Sequence, residues 1–227
     1  MGRHLVLLLA LVVMLVAQPL LAHMSDAVAQ IADAVFALLC LGIFLSLCRT
    51  GWERRTGVIL FVPVIAAHFA AHTLPGAPHP IAATAFHVTV MAFLGFAVLV
   101  VVRLLARTSV IRSDDVLGAV SGYILFALAW SHVYALAYMV APGAFDVSPT
   151  IAGQLEDWRT RRVLFEHFSF TTLTTIGFSD ITPIAPPLYA LTVIETIFGQ
   201  FYMAVVVAQL VGLKLAQAMG GDGRAPS

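Results

Sequence analysis

Charge is what this sequence is short of. Lys, Arg, Asp and Glu together make up 11% of the chain, while hydrophobic residues make up 60%. A soluble domain carries about 25% charged residues. The polar surface that would cover a water-exposed globule is therefore missing, and lipid is the natural solvent. The few charges cancel to a formal net charge of zero, which removes the basic footprint that nucleic acid would need. Cysteine is scarce too. Cys40 and Cys48 are the two in the chain; they sit about two turns apart on one apolar segment, too far along a helix to pair. They read as small core residues.

Long apolar runs are what the chain does have. A spanning helix needs ~20 mostly apolar residues. Residues 5–22, 28–47, 58–73, 81–105, 116–140 and 188–215 qualify or nearly do. The breaks carry charge or turn signals, such as Arg49, Arg54 and Arg55, the Pro75-Gly76-Ala77-Pro78-His79-Pro80 run, and Arg107 to Asp115. Basic residues collect on alternate breaks: Arg3, then Arg49, Arg54 and Arg55, then Arg103, Arg107 and Arg112, then Lys214 and Arg224. By the positive-inside rule these face the cytoplasm, so both termini are cytoplasmic if all the stretches span. Arg159, Arg161 and Arg162 are the exception, in a longer outer loop where the rule is weaker. The first stretch reads either as a retained helix or as a cleaved signal peptide.

Between the fifth and sixth runs lies a segment of another kind. Residues 163–174 are amphipathic, aromatic and Thr-rich, about twelve residues that are too short to cross ~30 Å of hydrocarbon. They predict a helix that dips in from the outer side. Residues 175–179 then form non-helical backbone at membrane depth, which is allowed only where it is buried or lines water. Gly177 gives that backbone the freedom it needs. An extended segment with carbonyls on one side, and the Thr175 hydroxyl at its inner end, offers layers of oxygen to a dehydrated cation. The helix before it aims a partial negative charge at the same place. One copy supplies one oxygen per layer, so a cage requires four copies about an axis, a homotetramer.

The run Phe168-Ser169-Phe170-Thr171-Thr172-Leu173-Thr174-Thr175-Ile176-Gly177-Phe178-Ser179-Asp180-Ile181-Thr182-Pro183 resembles the pore helix and selectivity filter of tetrameric potassium channels, whose usual signature is Thr-Val-Gly-Tyr-Gly-Asp. The nearest likeness is to bacterial two-transmembrane-type ion channel domains, here with extra N-terminal membrane helices. The resemblance covers about residues 116–215. It implies that the carbonyls of Thr175, Ile176, Gly177 and Phe178 hold potassium ions, with Thr174, Asp180 and His167 supporting the filter. Asp180 would bond His167, eight residues before Thr175, and protonation of His167 would then alter the filter. Ser179 departs from the pattern, which has a second glycine there. A serine in that conformation costs about 1 kcal/mol or more, so a weakly selective potassium/sodium channel stands as the alternative to a potassium-selective one. Gly199, twenty residues after Ser179, takes the place of the family's inner-helix hinge glycine; close helix packing is its other reading. Glu195, a carboxylate inside an apolar run, is assigned no role.

A voltage sensor would place Arg or Lys at every third residue of the fourth run, and residues 81–102 contain none. Asp33, His68, His72 and His87 occupy the outer halves of the early helices. His68 and His72 lie four apart on one face, a spacing that suits a shared metal with His87 as a third ligand, a pH sensor, or polar residues satisfied by one another. His132 reads as packed or hydrogen-bonded. The set defines the rival from another class, a haem- or metal-binding membrane enzyme using His68, His72 and His87.

The expectation is thus an all-α membrane protein of about six transmembrane helices, with a re-entrant pore helix and filter between the last two. Residues 1–22 form a first helix or signal peptide, 23–115 non-voltage-sensing membrane helices, 116–215 the pore domain and 216–227 a short flexible tail. The protein is expected to be a non-enzymatic cation channel of the cell membrane. It would have no cofactor beyond permeant potassium ions, and lipids and its own copies as partners. The gating stimulus is not legible.

Overall fold

In a computed structural model, residues 3–21, 26–73, 80–107, 113–177 and 180–221 are described. The elements are helices α1 (Arg3–Leu21), α2 (Asp26–Leu47), α3 (Gly51–Thr73), α4 (Pro80–Ala106) and α5 (Ser113–Val140), strand β1 (Phe145–Val147), the short helix α6 (Pro149–Ala152), helix α7 (Trp158–Leu173), strand β2 (Ile181–Pro183) and helix α8 (Pro186–Gly221).

Several ends lie outside the apolar runs because capping, not hydropathy, sets them. α3 begins seven residues before residue 58, where Glu53 Oε2 accepts the N–H groups of Arg49 and Thr50 at 3.2 and 2.9 Å. α7 begins five residues before residue 163. There the Asp157 carboxylate accepts the Thr160 N–H at 2.8 Å and its hydroxyl at 2.7 Å, an N-cap that satisfies donors otherwise left unpaired.

Three of the described helices are long and apolar enough to cross a membrane: Pro80–Ala106, Asp114–Val140 and Pro186–Gln209. His4–Leu20 of α1 and Ala34–Leu47 of α2 are further apolar stretches among the residues whose side chains are described. Three of the six expected spans thus satisfy both criteria among the described residues.

One core joins α1, α2, α4 and α5 through Leu7, Leu11, Phe36, Phe86, Val90 and Leu125, all at most 2% exposed. α1 closes onto α5 where His4 packs over Gly118 and the His4 N–H donates to Asp114 Oδ1 at 3.1 Å. α4 carries no charge in its buried interior, and its Arg103 lies 5.0 Å over the Trp52 ring at one end. A second core surrounds α7, with Tyr134, Phe145, Phe165, Phe168, Ile181 and Leu188.

A small sheet departs from the all-α expectation. β1 pairs antiparallel with β2, Phe145 opposite Pro183 and Val147 opposite Ile181. The Ser148 N–H donates to the Asp180 carbonyl and the Ile184 N–H to the Ala144 carbonyl, both at 2.9 Å. The chain following α5 is thereby tied to the chain following the predicted filter. Strands of three residues are too short to show an alternating pattern, and pairing this remote in sequence leaves no local signal.

Candidate functional site

α7 is buried between α5 and α8, and its C-terminal end delivers the chain into the segment of interest. Thr174 keeps helical dihedrals, its N–H on the Phe170 carbonyl at 3.0 Å and its hydroxyl on the same oxygen at 2.6 Å. The path then changes hand. Thr175 takes φ +60° and Gly177 φ +68°. For a β-branched residue this is a true outlier that its surroundings must hold. Three hydrogen bonds do so: the Thr175 N–H to the Thr172 carbonyl at 3.0 Å, and the Ile176 and Gly177 N–H groups to the Thr171 carbonyl at 2.9 and 3.2 Å.

An ordinary strand alternates its carbonyls. Left-handed backbone at every second residue turns them toward one side instead, which is the requirement for a ladder of cation sites. Thr174, Thr175, Ile176 and Gly177 are all exposed in the single chain. Beside them runs an open groove of about 440 Å³, its lining including Thr171, Thr172, Thr175, Thr192 and Thr196. Hydroxyls and free backbone at this depth need water or protein against them. Phe178 and Ser179 lie outside the described residues, and the strain expected at Ser179 with them.

His167 and Asp180, expected to bond, are both exposed and line one cavity of about 20 Å³ with Leu164, Phe168 and Ile181. That is room for one water.

Gly199 faces the end of α7. A Cβ built there would sit 2.5 Å from the Leu173 carbonyl oxygen and 2.7 Å from Leu173 Cδ1. The same carbonyl accepts the Tyr123 hydroxyl at 3.1 Å. Phe198 stacks on Phe126 with centroids 3.7 Å apart, and the Tyr202 hydroxyl donates to the Ala119 carbonyl at 2.7 Å. Inner and outer helices thus grip the end of α7 together. Further along, Gln209 donates to the Leu105 carbonyl at 3.2 Å, while Gln200 is exposed.

Glu195, without a role in the sequence reading, is fully buried. Its Oε2 accepts the Tyr134 hydroxyl at 2.6 Å, and its Oε1 lies 2.5 Å from Ser169 Oγ. Ser169 in turn reaches the Ala127 carbonyl at 2.8 Å. Tyr134 and Ser169 went unnoticed in the sequence because either is common in a membrane helix. The one available signal was the carboxylate itself, which at that depth must find partners.

Of the early-helix set, the side chains of His68 and His87 are described. His87 Nδ1 lies 2.7 Å from Nδ1 of His132, a residue outside the set. His68 stacks on Phe36 with centroids 4.8 Å apart. The side chains of Asp33 and His72 lie outside the described residues. Among the described residues no three His, Cys, Asp or Glu side chains converge as metal ligands. Beside this region Arg162 and Glu166 of α7 are buried, Nε to Oε1 at 3.8 Å, with the Arg162 guanidinium 5.6 Å over the Phe36 ring. Burial pushes the Glu166 carboxyl up to about 7, and Arg162 pulls the other way.

Residues 119–213 match the family model described as Ion channel. The matched stretch runs from early α5 to late α8 and contains Thr171 to Gly177, Gly199 and Glu195 with its partners Tyr134 and Ser169. It supports a channel function in a membrane protein, and it spans residues 168–183 together with most of the helix on either side. No curated protein and no solved structure matches the chain.

Proposed function

We propose that the chain forms a homotetrameric channel that passes potassium ions passively across the cell membrane, with Thr175 to Ser179 as its selectivity filter. The observation that carries this reading is the left-handed backbone at both Thr175 and Gly177, directly after a buried helix in the ion channel domain. Carbonyls turned to one side from four chains would complete a ring of four oxygens at each layer, and two successive rings an eight-oxygen cage. The C-terminal end of α7 adds a favourable partial charge. Thr174, His167 and Asp180 support the filter in this reading, and α8 is the pore-lining helix that bends near Gly199. α1 to α4 act as a non-voltage-sensing jacket.

Ser179 favours one second reading. A serine where the family pattern has glycine loosens the outermost site and admits sodium. Purified protein in liposomes, assayed for cation flux under potassium and then sodium gradients, separates the two. Flux under potassium alone is the expected result. Equal flux under both establishes the weakly selective channel, and absence of flux under either overturns the channel reading. Metal analysis and an absorption spectrum of the same preparation test the haem or metal enzyme.

A further inference from the structure

The hydrogen bonds around Glu195 hold more information than their lengths. Three oxygen-to-oxygen contacts form one chain: Tyr134 to Glu195 Oε2 at 2.6 Å, Glu195 Oε1 to Ser169 Oγ at 2.5 Å, and Ser169 Oγ to the Ala127 carbonyl at 2.8 Å. Each is short enough to require a hydrogen between its two oxygens. The Tyr134 hydroxyl supplies one. The Ser169 hydroxyl has a single hydrogen and can serve either Glu195 or Ala127. An ionised carboxylate only accepts, so with Glu195 charged there are two hydrogens for three contacts. One pair of oxygens would then face each other bare, in a site fully closed to water. With a proton on Oε1 every contact is filled: Tyr134 donates to Oε2, Oε1–H donates to Ser169, and Ser169 donates to Ala127.

We propose that Glu195 is protonated, and that its proton locks the inner helix α8 to both α7 and α5 behind the filter. Glu195 is a positioning residue in this scheme and touches no ion. The proposal rests on the channel reading for its effect on conduction, but not for the proton itself.

The surroundings agree. Among the described residues no cationic side chain touches Glu195, so a charge there would be buried without a counterion, which is costly. From α5 the nearby ionisable groups are the phenols of Tyr134, which donates to it, and Tyr123, which donates to the Leu173 carbonyl. His132, two residues before Tyr134, is engaged with His87. From α7 it meets the Ser169 hydroxyl; the ionisable residues just before Ser169 are Glu166, paired with Arg162, and the exposed His167. Removing the proton would cost one of three hydrogen bonds and strand a charge. The lock then opens as pH rises, and α7, which ends at the filter, loses its seat.

Glu195→Gln provides the test, because an amide keeps a donor for Ser169 and an acceptor for Tyr134 while losing the titration. The infrared spectrum of the protein in lipid at neutral pH should contain a protonated-carboxyl band that is absent from Glu195→Gln. In Ser169→Ala that band should shift to the position of a weaker hydrogen bond. In flux assays the parent should lose conduction reversibly toward alkaline pH, and Glu195→Gln should keep it. No difference band at neutral pH overturns the proposal, as does a band unmoved in Ser169→Ala. A shared alkaline loss in parent and Glu195→Gln overturns the lock. The infrared arm needs no conduction, so its failure is distinct from failure of the channel reading.

Discussion

At Gly199 there is no room for a methyl group. The nearest atom to a built Cβ is a backbone carbonyl oxygen, which cannot swing aside as a side-chain tip would. Gly199→Ala must push α8 away from the last turn of α7 or shift that turn toward the filter. Overpacking of this kind costs about 1–3 kcal/mol. The substituted protein should therefore unfold at lower temperature in detergent and also lose flux. Gly212 of the same helix has open space around it, so Gly212→Ala should hold or slightly raise thermal stability. A pure hinge would give the opposite pattern at Gly199, with altered flux at unaltered stability. Glu195, four residues earlier and fully buried, belongs to the same contact; carbonyl approach at one residue and the hydrogen-bonded chain at the other fix how close α8 can come.

Among the elements, the pairing of β1 with β2 matters most for the proposed filter. It holds the chain beyond Asp180 against the turn that follows α5, and its last rung is the Ser148 N–H on the Asp180 carbonyl at 2.9 Å. Ser148 has φ −51° and ψ 133°, close to what proline requires, and such a ψ is also acceptable before Pro149. Ser148→Pro deletes that donor and places the ring Cδ where its hydrogen pointed, so the Asp180 carbonyl must also move away. The cost therefore exceeds the ~1 kcal/mol of one hydrogen bond. The expected outcome is a less stable protein whose sodium flux rises relative to its potassium flux, read by paired gradient assays. Unchanged selectivity would show that the sheet does not brace the filter. None of this was legible beforehand. The apolar runs revealed α4, α5 and α8 because each is long and periodic, whereas β1 and β2 are paired by a tertiary contact between segments with no pattern of their own.

Taken whole, the molecule leaves α8 largely uncovered. About 17% of its spanning window is buried within the chain, against 56% for that of α5, and Val193, Ile197, Phe201 and Val205 are exposed. Lipid satisfies such a face, but the bare Thr175 to Gly177 backbone beside it needs protein or water. Further copies of the chain fulfil both needs. Mass measurement of the protein released gently from detergent should therefore give four chains. Replacing potassium by a large organic cation should lower the melting temperature of that assembly, since a ligand that binds only the assembled state stabilises it. Two or three chains, or a melting temperature indifferent to potassium, would contradict the carbonyl cage.

Composition and run length by themselves marked a membrane protein, and the motif from Thr174 to Asp180 marked the segment on which the proposed channel rests. Those properties are local: hydropathy sums along the chain, and a glycine after a short helix declares its own backbone freedom. Helix starts at Gly51 and Trp158 needed the caps from Glu53 and Asp157, which override hydropathy by a few polar contacts. The partners of Glu195, His87 and Gly199 were decided only in three dimensions. A buried polar group takes whichever donor or acceptor the packing of remote helices brings within 3 Å, and no spacing along one helix records what faces it from another.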